Sequence, residues 1–150
     1  MTPPPVVTPP PPPAASLLDT LGVYPGFDGI AGLKSFETLV GHPAKYIVQM
    51  GDTSSADAFE SSVWGEVINP DGNLAQFASR ATLVLSVPIA FGVTDKASVT
   101  RQLAATIAGN NNGSYQRAFG YLKAAGFKNI IIRLAWESDG KPGWMSDAAD

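Results

Sequence analysis

Between Ala81 and Ala90 the chain reads Thr82-Leu83-Val84-Leu85-Ser86-Val87-Pro88-Ile89, an almost unbroken apolar run. A run of this kind is expected of a strand buried on both faces, as in a parallel sheet covered by helices. Pro88 has no N–H to give to a ladder and should mark the strand's end. This one segment therefore demands partners on either edge and cover above and below. The rest of the sequence must supply them.

It does so by alternation. Thr20-Leu21-Gly22-Val23-Tyr24 is a short apolar run stopped by Pro25-Gly26 and reads as a first strand. Ile30, Leu33, Phe36, Leu39 and Val40 then recur at helical spacing, and Gly41 follows as a stop. Lys45 to Met50 is a second strand, ending at Gly51-Asp52. Ala56 to Val67 reads as a helix with Phe59, Val63 and Trp64 on one side. Asn69-Pro70-Asp71-Gly72 is a turn cluster. After the third strand, Ala97 to Ala108 is helical and Gly109 to Gly113 is a loop. A further helix runs from Tyr115 to Ala125, with Ser114 as N-cap, Gly126 just past its end, and Tyr115, Ala118, Phe119, Leu122 and Ala125 on one face. Lys128 to Trp136 is a fourth strand. The order β, α, β, α, β, α(α), β predicts an α/β fold with a parallel sheet. A doubly wound sheet and part of an eight-stranded barrel both fit that order. No longer internal repeat is evident.

Composition narrows the classes. Residues 2 to 13 hold eight of the thirteen prolines, so residues 1–15 read as an extended, disordered Pro-rich linker. The folding unit is then 16–150. Apolar residues at 45% and charged residues at 15% are those of a globular domain. A net charge of −3 with ten scattered basic residues excludes the basic stripe of a nucleic-acid binder. No apolar run is long enough to span a bilayer, and no secretory signal is visible in the head. The absence of cysteine removes disulfides, thiolate metal sites and Cys nucleophiles. With a single histidine, His42, zinc sites and a Ser-His-Asp arrangement are poorly supported. His42 lies in a helix-to-strand loop and reads as a surface or capping residue. The Gly109–Gly113 loop lacks the phosphate-loop pattern. Asn112-Gly113-Ser114 is a glycosylation sequon of a kind common by chance.

In parallel α/β folds chemistry gathers where strands end. Those ends carry Tyr24 and Phe27, then Asp52, then Pro88 and Phe91, then Glu137, Asp139 and Trp144. Along the fourth strand, alternation sends Arg133, Ala135 and Glu137 one way and Leu134 and Trp136 the other. An arginine inside an apolar strand is costly to bury without a partner, and carboxylates at a rim would supply one. On pattern alone, Glu137 reads first as a solvated carboxylate opening a Glu-Ser-Asp-Gly turn. Trp64 and Trp144 could each stack on a sugar ring. Trp64, at helical spacing with Phe59 and Val63, reads as core. Trp144, in a Gly/Pro loop at the strand ends, is the better binding residue.

Leu21 to Trp144 resembles glycoside hydrolase family 26, the β-mannanase-like barrels, and more narrowly their divergent bacterial members. The landmarks are Gly22-Val23-Tyr24, Leu39-Val40-Gly41-His42-Pro43, Leu85-Ser86-Val87-Pro88, Gly113-Ser114-Tyr115, Leu122 to Gly126, and Ile132-Arg133-Leu134-Ala135-Trp136-Glu137 with Gly140 beyond. In such enzymes an Arg-Leu-x-Trp-Glu-x-Asn-Gly stretch ends the fourth strand, and its Glu is the acid/base. The resemblance implies a retaining mechanism in which Glu137 first protonates the leaving oxygen and then deprotonates water. A second Glu, on the seventh strand, would be the nucleophile about 5 Å away. Burial and neighbouring charge would have to raise the acid's pKa. It implies Trp144, Asp139 and Tyr24 as substrate-binding residues, a β-linked polysaccharide such as β-mannan as substrate, and no cofactor or metal. Two features depart from the pattern. Asp139 stands where the pattern has Asn, and Lys141-Pro142-Gly143-Trp144 replaces an aromatic-rich stretch. Four strands are also only the N-terminal half of a (β/α)8 barrel. The expectation is a fragment inactive by itself that associates through exposed half-barrel edges. The linker style and the family's habit point to an extracellular setting. Two other readings stand beside this one: a non-catalytic carbohydrate-binding or structural module built on a degenerate barrel, and a small doubly wound domain with an unrelated ligand.

Overall fold

The computed structural model describes residues 17–26, 29–69 and 74–134. Four strands, β1 (Gly22–Val23), β2 (Tyr46–Met50), β3 (Thr82–Val87) and β4 (Ile130–Leu134), form one sheet in the order β1-β2-β3-β4. All three pairings are parallel. Sequence order and spatial order coincide, so no reversal of the kind that marks the crevice of a doubly wound fold occurs among the described strands. The helices are α1 (Gly29–Val40), α2 (Ala56–Val63), α3 (Lys96–Ile107) and α4 (Asn112–Ala124).

Register fixes which side chains share a face. Ile47 pairs with Leu83, Gln49 with Leu85, Leu83 with Ile130 and Leu85 with Ile132. Ile47, Leu83 and Leu85 are fully buried, together with Leu33 of α1, Phe59 and Val63 of α2, and Ala118 and Leu122 of α4. α2 and α4 each space those residues four apart, which aligns them on one stripe. The stripes meet the sheet on this face alone. On the opposite face stand Tyr46, Val48, Met50, Thr82 and Val84, all partly exposed and none packed into that core. Among the described residues the helices cover only one face of β3, although no β3 residue is exposed and Ser86 on the other face is fully buried.

The helix-clad face is also open at one end. Ile132 and Leu134 of β4 are 48% and 66% exposed, so the described residues cover them only in part. A groove of about 570 Å³ runs along α4 between Tyr115, Phe119 and Lys123.

Local chemistry sets the element ends. Ser55 caps α2 by accepting from the Ala58 N–H at 3.0 Å. Asp95 and Ser98 form a reciprocal capping box at the start of α3. α4 begins three residues before the expected Tyr115 and is preceded by Asn111, so Ser114 is not its N-cap. Ser114 is buried in the first turn, where its hydroxyl donates to Asp57 Oδ1 at 3.1 Å. The sequon thus lies in a helical turn and not in a loop. Gly126 follows α4 at φ +90°, as its place one residue past the C-cap requires. At the N-terminal edge, Glu37 accepts from the Ala44 N–H at 2.9 Å and from Arg80 Nη2 at 2.7 Å, tying α1 to the approaches of β2 and β3. His42 sits on this edge with Nδ1 2.8 Å from the Pro43 carbonyl oxygen, remote from the strand ends.

Gly51 is the tightest point of the core. A Cβ there would meet the Phe59 ring at 2.4 Å and the Ser86 carbonyl oxygen at 3.0 Å. Gly51→Ala is expected to destabilise the fold by about 1–3 kcal/mol in urea denaturation, through overpacking against an aromatic ring. Phe59→Leu, which trims that ring, should recover part of the loss in the double variant.

Candidate functional site

Parallel strands run their C-terminal ends to one edge, and here that edge is assembled from three loops. β2 is followed by Gly51 to Ser55, β3 by Pro88 to Asp95, and β1 by Tyr24 and Pro25. Hydrogen bonds lock the loops after β2 and β3 to each other. Gly51 N–H donates to the Ser86 carbonyl at 3.1 Å, and Gly92 N–H donates to the Thr53 carbonyl at 2.8 Å. Gly92 has φ +58°, and a Cβ on it would lie 2.9 Å from the Ser54 carbonyl oxygen. Glycine is therefore required there both for conformation and for space.

An aromatic cluster props this edge from the helix side. Tyr115 of α4 lies edge-on to Phe59 at 5.7 Å between ring centroids and tilted against Phe91 at 5.9 Å. Its hydroxyl donates to the Pro88 carbonyl at 2.7 Å. Burial pushes its pKa above the ordinary tyrosine value, so it acts as a neutral donor. α3 is the additional helix in the β3-to-β4 connection. Apart from Ser98 its residues are not buried, and none joins the main core. It is tied back through Thr106, whose hydroxyl donates to the Ile89 carbonyl at 2.9 Å and accepts from Asn111 at 2.9 Å. α3 is therefore an elaboration of the loop at the strand ends, the place where α/β folds build specificity.

On the uncovered face, register sets Met50, Ser86 and Arg133 in one row at the last turn of the sheet. Arg133 is exposed, so the cost of burying it does not arise among the described residues. Ser86 is different. It is fully buried, and its hydroxyl has no hydrogen-bond partner among the described residues. A buried orphan hydroxyl beside strand ends is a group waiting for a partner.

Of the sequence-derived site residues, Tyr24 stands at this edge, 43% exposed, directly after β1. Glu137, Asp139, Trp144 and Phe27 lie outside the described residues. Asp52 is at the edge but is engaged in making the loop: its Oδ1 accepts from the Ser54 N–H at 2.7 Å. That bonding to Ser54 holds its carboxyl below the usual range, which suits a fixed anion and not an acid. Pro88 and Phe91 are both buried and serve as framework. Trp64, expected in the core, is 48% exposed. Phe59 and Val63 fill the core stripe, and the next residue in a helix is rotated by about 100°, which carries Trp64 off that stripe.

One carboxylate was not anticipated. Glu66 follows α2 in a π-helical turn, Trp64–Ile68, and accepts a hydrogen bond from Nε2 of the buried Gln49. Although the residue is partly at the surface, desolvation of its carboxyl pushes its pKa up, and the negative charge of Asp52 adds to this. Sequence offered only the acidic residue four positions before Pro70, with nothing to link it to Gln49.

No group of His, Asp or Glu that could hold a metal ion occurs among the described residues. No protein-family model, curated protein or solved structure matches the chain.

Two expectations follow. Ser86→Ala removes a hydroxyl that has lost water without gaining a partner, so stability should be unchanged or raised, by up to about 1 kcal/mol, in chemical denaturation. A loss above that range would show that Ser86 Oγ is satisfied in solution. For Glu66 the folded pKa lies above the unfolded one, so ionisation opposes folding at neutral pH and the opposition is relieved as pH falls through the folded value. Glu66→Gln should therefore raise Tm at pH 7, with the gap to wild type closing below the ordinary glutamate pKa. A constant or reversed gap would contradict that origin.

Proposed function

We propose that this chain contributes the first four β-α units of a (β/α) barrel that cleaves a β-linked polysaccharide such as β-mannan, with Glu137 as the acid/base. The observation that carries the reading is the one-sided sheet. Four parallel strands stand in sequence order, helices clothe one face, and the other face is left to side chains. A barrel uses this arrangement, because its inner face is filled by strand residues from around the ring and its outer face by helices. A doubly wound sheet needs helices on both faces. The open end of the helix-clad face, at Ile132 and Leu134, is where a right-handed connection would lay the next helix.

The site then follows from the strand ends. Ser86 and Arg133 share a row on the inner face, and Glu137 lies four residues beyond Arg133 in the sequence. An arginine and a hydroxyl near a carboxylate would set its orientation and titration. Tyr24, exposed at the same edge, would meet the sugar. Asp139 and Trp144 would complete the subsite. Glu137 would donate a proton to the glycosidic oxygen as the bond to the anomeric carbon breaks, and would then take a proton from the attacking water.

The test is reducing-sugar release from β-mannan by the protein, compared with its Glu137→Gln variant. The expected outcome is turnover that falls by about a thousandfold or more in the variant, since the amide cannot transfer the proton. Turnover that survives the substitution removes Glu137 from the mechanism. Polysaccharide binding without turnover, insensitive to Glu137→Gln, would replace the enzyme by a non-catalytic binding module.

A further inference from the structure

We propose that the cleft between α2 and α4 at Trp64 is a binding site for a hexopyranose chain, on the helix-clad outside of the molecule and separate from the strand ends. This inference needs no catalytic role for Glu137.

Trp64 lies three and four residues beyond Ser61 and Glu60, so the three share one stripe of the helix, turned away from the buried stripe of Phe59 and Val63. α4 presents Arg117 and Tyr121 to the same stripe, again four apart. The cleft, about 270 Å³, is lined by Glu60, Ser61, Trp64 and Tyr121. Its polar floor is a network of hydrogen bonds between α2 and α4. Arg117 Nε donates to both oxygens of Glu60 at 2.8 Å, and the Tyr121 hydroxyl donates to Glu60 Oε1 at 2.9 Å. Arg117 Nη2, 2.7 Å from Glu60 Oε2, also donates to the Ser114 hydroxyl at 3.3 Å.

This chemistry selects a class of ligand. Glu60 and Arg117 neutralise each other, so the cleft has no surplus charge to attract a phosphate or a nucleic acid. What remains is the indole of Trp64, a residue 48% exposed, beside the Ser61 and Tyr121 hydroxyls and the Glu60 carboxylate. The negative face of an aromatic ring attracts the weakly positive C–H groups on one side of a pyranose. The sugar's equatorial hydroxyls would meet Ser61, the Tyr121 oxygen and the Glu60 edge. A neutral polyol with one apolar side matches both halves of the cleft.

A second observation points to the same residue. α2 does not end in an ordinary α turn at Trp64. The Asn69 N–H reaches back five residues to the Trp64 carbonyl at 2.8 Å, making a π-helical turn over Trp64–Ile68. Such turns are rare and occur frequently at functional sites.

The experiment follows the tryptophan indole N–H signals of the ¹⁵N-labelled chain during titration with β-1,4-mannohexaose and, separately, cellohexaose. Trp64→Phe assigns the Trp64 signal. The expected result is a saturable shift of that signal with a Kd on the order of 1 mM or tighter for at least one of the two sugars. Trp64→Ala should weaken binding by about tenfold or more, and Tyr121→Phe, which removes only a hydroxyl, by a few-fold. Glu137→Gln should leave the affinity unchanged, so this site and the hydrolytic reading can fail separately. Shifts confined to the other two indoles would overturn the proposal. So would no shift with either sugar at about 10 mM, or wild-type affinity in a Trp64→Ala chain whose spectrum stays dispersed.

Discussion

Everything in this molecule hangs on the burial of one sheet face. Parallel strands cannot be joined by tight turns, so each step from β1 to β4 needs a crossover, and each crossover brings apolar residues back to the same side. Ile47, Leu83 and Leu85 are fully buried because Leu33, Phe59, Val63 and Leu122 arrive above them. The register of β2 on β3 is held by the same burial. A slip of β2 by one residue against β3 would turn Ile47 to the open face and bring Val48 under the helices.

The consequences reach the strand ends. Phe59 packs on Gly51, and Phe91 and Tyr115 pack on Phe59, so the rim after β2 and β3 is supported from beneath by the core. The two loops then bond to each other through Gly92 and Thr53. Framework and rim form one continuous packing, which is the condition for holding reactive groups at fixed distances. The opposite edge, where Glu37 clamps Ala44 and Arg80, is stabilised by an ion pair at the surface.

The two faces of the sheet also divide the chemistry. The helix side holds Gln49 against Glu66, a polar pair imposed on a mostly apolar layer and accompanied by a carboxyl with raised pKa. The open side holds Ser86, buried with no partner, in register with Met50 and Arg133. Farther out, Glu60, Arg117 and Tyr121 bind α2 to α4 and leave Trp64 in the solvent. Glu60 and Asp95 are both held below the usual carboxylate range, by Arg117 and by the Ser98 N–H respectively, so their contribution to stability is present near neutrality and is lost as pH falls.

Hydrophobic periodicity determined the elements. The runs at Lys45–Met50 and Ala81–Ala90 and the helical spacing of Ile30 to Val40 lie within a few residues of β2, β3 and α1, because strand and helix impress their own period on whatever they bury. The aligned face of α4 was legible for the same reason, and Gly126 marked its end through a conformation that glycine favours. Three things were not legible. Sequence spacing placed Trp64 with Phe59 and Val63, and only the packing of α2 on α4 showed that the core stripe was already filled. Ser114 looked like a cap, and only the fold brought Asp57 to its hydroxyl across 57 positions. The apolar length of β3 suggested cover on both faces, whereas tertiary structure decided that helices take one. Local sequence encodes periodicity, which needs only neighbours along the chain. Which face is covered, and which polar groups meet there, depends on segments distant in sequence, and only their packing together decides it.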